Sequence, residues 1–258
     1  MFTGALTSRR RFLYLTGGLA AGIALPALAA GKAEGKEKEF EVNPVEDLMR
    51  EHGVLRRVLL IYDEIINRLY GLKAVPPGII ADSAGIIRRF VEDYHEKLEE
   101  DEIFPRFEKA GKHSDLVKVL LVQHQAGRRM TDSLLKLSVP EEQKPPQEKD
   151  ESSATMKQIY QGTPLFRKKG KHAKPELTPT MRDFVLMYRA HAAWEDTVLF
   201  PAFRSIVSPR EFDELGEKFE DKEKELFGND GFEKMVESVG EIERKLGTND
   251  LSKYTPKV

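Results

Sequence analysis

Four histidines in this chain stand at repeated distances from acids and bases. His95 and His191 open two copies of one phrase, HEKLEEDEIFPRF and HAAWEDTVLFPAF, both of the form H-x3-E-[ED]-x2-[IL]-F-P-x-F. His52 and His124 open a second repeated phrase, HGVLRR and HQAGRR, both H-x3-R-R. Residues four apart on a helix share a face, with about 5–6 Å between their Cβ atoms. His95 with Glu99, and His191 with Glu195, can therefore reach one metal ion. A carboxylate from each copy suits a bridge between two cations about 3.5–4 Å apart.

A single histidine on an apolar helix face is more often a core residue hydrogen-bonded to a neighbour. Four at seam positions, two of them with glutamates in register, ask for more, because an unpaired buried carboxylate is costly. A metal supplies the compensation most simply. The chain has no cysteine, which excludes disulfides, thiolate zinc sites, iron–sulfur clusters and a cysteine nucleophile. Mixed imidazole and carboxylate donors favour two non-haem iron ions, with manganese or zinc as the alternatives. The expected metal ligands are His52, His95, Glu99, His124, His191 and Glu195. His113 and His172 lie in turn-like sequence and stay outside the set.

Four long helical patterns must position these side chains. The first opens with Asn43 as N-cap, Pro44 at the first helical position and Glu46 three after the cap. Its apolar stripe is Val45, Leu48, His52, Leu55, Leu59, Tyr62, Ile66 and Leu69, so a histidine occupies one place in the seam. The second pattern, about 78 to 107, places Ile80, Ala84, Ile87, Val91, His95 and Leu98 on one face. The third, about 114 to 137, does the same with Val117, Leu120, His124, Gly127, Thr131 and Leu134. The fourth starts at Thr178-Pro179 and carries Phe184, Tyr188, His191, Glu195 and Val198. Pro105 and Pro201 should each kink or end their helix at the same relative place.

His52 and His124 lie 72 residues apart, whereas His95 and His191 lie 96 apart. The extra residues fall at 139–177, which are rich in Pro, Lys and Gln and read as an irregular insertion with a short helix near 155–161. The order is that of a pseudo-twofold bundle of two helical hairpins. A capping box at Ser208 to Glu211 opens a fifth helix to about Phe227, and a sixth covers about Gly231 to Leu246. These C-terminal helices are amphipathic, fit either to cap the bundle or to join a homodimer. No strand pattern is present, and the fold class is all-α.

Of the 258 residues 33% are charged and 40% hydrophobic, with a formal net charge of −2, so no basic excess points to nucleic acid. The run RKKGKHAK at 167–174 reads as a solvated loop. At the N-terminus SRRRFL, Ser8 to Leu13, fits the twin-arginine export pattern, and Ala27-Leu28-Ala29 offers a small-residue cleavage site. The apolar run between them is short for a spanning helix, although an N-terminal membrane anchor is the alternative. The chain thus divides into a signal peptide at 1–29, a linker at 30–42, a bundle at 43–208 with the insertion at 139–177, and a C-terminal extension at 209–258. Its expected location is periplasmic, its export partner the twin-arginine machinery.

From about Pro44 to Ser208 the repeated phrases resemble the hemerythrin / HHE cation-binding family. The resemblance implies an up-down-up-down four-helix bundle around a carboxylate-bridged di-iron centre. It assigns His52 to the first helix, His95 and bridging Glu99 to the second, His124 to the third, and His191 and bridging Glu195 to the fourth. Two departures matter. Oxygen carriers of the family have a second histidine four residues along helix three, where this chain has Arg128. Their last carboxylate lies five residues after the fourth-helix histidine, the place of Asp196 here, whereas Glu195 matches Glu99 in the internal repeat. Four histidines with two glutamates are more like the iron-sensing hemerythrin domain of an F-box protein. Leu55, Leu98, Gly127 and Trp194, each three after a histidine, imply a dry but roomy pocket.

The implied function is binding of, or reaction with, O2, NO or peroxide. Carrier, sensor and enzyme all fit. The alternative is a ferritin-like di-iron oxidase or peroxidase, or an iron-holding protein. A ferritin-like site wants Glu-x-x-His on two helices. Glu92-x-x-His95 supplies it once, and Tyr188 stands where the second glutamate belongs.

Overall fold

The structure, a computed structural model, describes residues 43–138 and 176–256. The export signal, the linker and nearly all of the insertion, with its expected short helix, lie outside the described residues. Among the described residues there is no strand.

Helix α1 runs Pro44–Tyr70 and starts as its sequence dictates, the Asn43 side chain accepting from the Glu46 amide at 3.0 Å. Gly78, in the left-handed region at φ 81, leads into α2. This helix begins as α at Ile79–Ile86, widens to π at Ile87–His95, and returns to α at Glu96–Leu98. It widens again at Glu99–Ile103 and finishes as α at Phe104–Ala110. Helix α3 spans Ser114–Ser138. Helix α4 is α at Leu177–Trp194, π at Glu195–Leu199 and α at Phe200–Phe203. Helix α5, Pro209–Phe227, is capped by Ser208, whose side chain accepts from the Glu211 amide, and α6 covers Gly231–Leu246. A short 3-10 turn, Leu251–Tyr254, ends the described chain.

Neither proline stops its helix at once, although α4 ends two residues after Pro201, near the expected place. Proline lacks an N–H and its ring crowds the carbonyl four residues back. A π turn directly precedes each Phe-Pro pair, at Glu99–Ile103 and at Glu195–Leu199, and the wider turn absorbs the missing bond. Both helices therefore continue, to Ala110 and to Phe203. The added residue also shifts the register. Leu199 is buried where the regular period had pointed to Val198, which is only half-buried.

Helices α1, α2, α3 and α4 pack in a closed ring, α1 against α2 and α4, and α3 against the same two. Helix α6 lies on α1 and α2, and α5 on α1 and α6. This second layer buries a face of α1 beyond the expected stripe, adding Val54, Val58, Ile61 and Ile65 to the core. The apolar stripes of α5 and α6 (Phe212, Leu215 and Phe219; Val239, Ile242 and Leu246) are buried within the same chain. Arg57 fastens α6 to α1 by pairing with Glu243 at 2.6 Å. No described helix is long and apolar enough to cross a membrane.

Candidate metal centre

The four seam histidines meet at the middle of the ring, each turning Nε2 inward. His52 Nε2 lies 3.1 Å from His95 Nε2, and His124 Nε2 lies 3.3 Å from His191 Nε2. Two glutamates stand between the pairs. Glu99 Oε1 is 3.5 Å from His95 Nε2, while its Oε2 is 3.4 Å from His124 Nε2. Glu195 Oε2 is 3.0 Å from His191 Nε2 and 3.3 Å from His52 Nε2. All six residues are at most 2% exposed. The six residues expected from sequence are thus brought together.

The outward nitrogens have partners of their own. His52 Nδ1 meets Asp196 Oδ1 at 2.7 Å, and His124 Nδ1 meets Glu100 Oε1 at 3.0 Å. Each of these acids is the residue after a central glutamate. An arginine holds each one: Arg56 pairs with Asp196, and Arg128 pairs with Glu100 at 2.7 Å. The H-x3-R phrase is thereby explained, since its arginine clamps the acid that orients its own histidine. His95 Nδ1 meets Glu51 Oε2 at 2.7 Å, and His191 Nδ1 meets Gln123 Oε1 at 3.0 Å. An acceptor on Nδ1 fixes that proton there and leaves Nε2 free to donate to a metal. Sequence reasoning missed Glu51, Glu100 and Gln123, although each neighbours a residue it had selected.

Charge in the cluster follows from this geometry. Burial opposes charge on His52, yet Asp196 and Glu195 overcome it and raise its pKa to about 9. Burial lowers His124 to about 4, against the pull of Glu100. Burial, and then the neighbouring Glu195, push the Glu99 carboxyl well above its usual range. Glu195 is also disfavoured by burial, but His191 and His52 hold it below that range.

Both oxygens of Glu99 and both of Glu195 are buried without a hydrogen-bond donor. Leaving four such atoms unsatisfied is expensive, and cations are the partners this donor set fits. The donor atoms form two groups that can each hold a metal ion, one of His52, His95 and Glu99, the other of Glu99, His124, His191 and Glu195. Glu99 belongs to both.

The surroundings are tighter than the sequence implied. Trp194, expected to wall the pocket, is 56% exposed and points outward. At Gly127 the space is filled by Tyr188, whose hydroxyl would sit 1.9 Å from an added Cβ. That hydroxyl donates to Glu96 Oε1 at 2.7 Å, and Arg128 pairs with Glu96 Oε2 at 2.9 Å. Phe200 stacks on His52 and Phe104 on His124, with ring centroids 5.5 Å apart in both cases.

Residues 43–163 match the Hemerythrin HHE cation binding domain family. This chain belongs to the HHE cation-binding family. The matched residues include α1, α2 and α3, and the HHE character of α4 rests on the internal repeat and on the geometry above. Uncharacterized proteins of Mycobacterium bovis and Mycobacterium tuberculosis are each 41% identical to the chain over 260 residues, covering 98% of it and 92% of their own length. No solved structure matches it.

Proposed function

We propose that this HHE protein is a hemerythrin-like non-haem di-iron protein that binds or reacts with O2, NO or peroxide in the bacterial periplasm. The observation that carries the reading is the convergence of four imidazole Nε2 atoms on three donorless carboxylate oxygens, both of Glu99 and Oε2 of Glu195. His52 and His95 would hold one iron, His124 and His191 the other, with Glu99 and Glu195 bridging. Asp196 is already engaged by His52 and Arg56, which favours Glu195 as the fourth-helix ligand. The ring of α1 to α4 suits the up-down-up-down bundle of the family. When bound, an iron pair supplies electrons and open positions to a small ligand. The chain's own residues hold it, orient its imidazoles, and exclude water with Phe104 and Phe200.

Phe200, which stacks on His52, also lines a surface cavity of about 200 Å³ whose walls include the charged Glu46 and Arg204. The ferritin-like alternative loses support at Glu92, whose oxygens are engaged by Thr131 at 2.5 Å and Arg88 at 2.8 Å. The position of the fifth histidine of oxygen carriers holds Arg128, bound to Glu96 and Glu100. This favours rapid oxidation of the reduced protein over reversible oxygen carriage.

Elemental analysis with optical spectra tests the reading. Protein from iron-rich growth is expected to hold two irons per chain, and its reduced form to oxidise rapidly in air. One ion per chain, or zinc alone, would contradict the di-iron assignment, and a visible band reversed by removing oxygen would restore the carrier. The twin-arginine phrase is expected to export the folded, loaded protein, with cleavage near Ala29. Replacing Arg9 and Arg10 by lysine should then trap the precursor in the cytoplasm, and unchanged periplasmic levels would refute the address.

A further inference from the structure

We infer that the two metal positions are electronically unequal, and that a single difference between the repeats, Glu51 against Gln123, sets the inequality. This rests on the di-iron reading above. The two repeats place corresponding residues around the centre. His52 and His124 correspond, and the Nδ1 of each meets a carboxylate, Asp196 at 2.7 Å and Glu100 at 3.0 Å. Each carboxylate is paired with the arginine four residues after its histidine, Arg56 or Arg128. Phe200 and Phe104 stack equivalently on the two rings. Up to this point the halves correspond, although Glu100 also pairs with Lys97 and Arg128 also with Glu96.

They part at His95 and His191. The partner of His95 Nδ1 is the carboxylate of Glu51, at 2.7 Å, whereas that of His191 Nδ1 is the amide oxygen of Gln123, at 3.0 Å. Glu51 and Gln123 hold the same place in the repeat, each directly before the first histidine of its half. Glu51 is also the more enclosed, 2% exposed, with carboxylate oxygens of Asp47 and Glu223 within 4.8 Å of its own. Gln123 is half-buried.

The consequence follows from how an imidazole donates. A carboxylate on Nδ1–H draws that proton away and makes Nε2 a stronger donor. A neutral amide does so less, because a hydrogen bond to an ionised acceptor is roughly twice as strong. The His52–His95 position therefore has two imidazoles backed by carboxylates, and the His124–His191 position has one. Glu99 belongs to both donor groups, and Glu195 Oε2 reaches one histidine of each pair, His52 at 3.3 Å and His191 at 3.0 Å. The ion at His52 and His95 is held more tightly and is the easier one to oxidise. The ion at His124 and His191 is the one that leaves first. Glu51 and Gln123 act as positioning residues, through the histidines and not on a ligand.

Wild type, Glu51→Gln and Gln123→Glu are to be loaded with ferrous iron without air, counted for iron, and compared by Mössbauer spectroscopy and by release to a chelator. The wild type is expected to show two distinct ferrous environments and two release phases. Glu51→Gln should speed the slow phase about 10–100-fold and bring the two environments together. Gln123→Glu, at a half-buried site that tolerates a charge, should slow the fast phase and also make the environments converge. Two irons with a single environment and a single release rate in the wild type would overturn the inference and leave the di-iron reading intact. So would differences untouched by Gln123→Glu in a chain that still binds two irons. Fewer than two irons in the wild type would overturn the di-iron reading, and the inference with it.

Discussion

Each histidine of the cluster divides its two nitrogens between tasks, one facing the centre and one tied outward. Only the first task can be read from a sequence. The inward set was legible because two phrases recur with a glutamate four residues after a histidine, and helical spacing turns that recurrence into a shared face. The outward partners were not, because they cross between helices: Asp196 orients His52, 144 residues away. Asp196 could be weighed only as a rival ligand, and Glu51 and Gln123 are hidden because the repeat does not conserve them. The outward bonds have a measurable result. His52 is raised to about 9, so it carries a proton at neutral pH, and Glu99 too is raised. A metal at Nε2 must displace that proton. Apparent metal affinity should therefore rise with pH until about 9, and uptake at neutral pH should release protons. Calorimetric titration in buffers of different ionisation heat measures both; an affinity that is flat from about pH 7 to about pH 9 would contradict the assignment of His52 as a protonated ligand.

Helix starts were readable from their caps, and Asn43 and Ser208 act as their sequences require. The π turns were not, since a regular 3.6-residue period was carried through Glu99 and Glu195. Their inserted register moved burial from Val198 to Leu199. The contact between α3 and α4 depends on Gly127, because Tyr188 lies against its backbone with no room for a Cβ. Gly127→Ala should overpack this contact and cost about 1–3 kcal/mol in chemical denaturation. Adding Tyr188→Phe removes the nearest clashing atom and should return part of the loss, even though Glu96 then lacks its phenolic donor. A Gly127→Ala chain as stable as the wild type would contradict this close approach.

Across the whole molecule, two repeats make a ring of four helices and two further helices cover one side of it. The all-α class and the six helices among the described residues followed from periodicity and caps. The destination of α5 and α6 did not, because the surface they cover is a second apolar face of α1 that a single-stripe reading leaves to solvent. On the di-iron reading the ring exists to hold two bridged ions between its histidine pairs. Anomalous diffraction at the iron edge, from crystals of protein grown with iron, tests it most directly. Two peaks about 3.5–4 Å apart are predicted, one beside His52 and His95 and one beside His124 and His191, with Glu99 and Glu195 between them. A single peak, or none inside the ring, would contradict it.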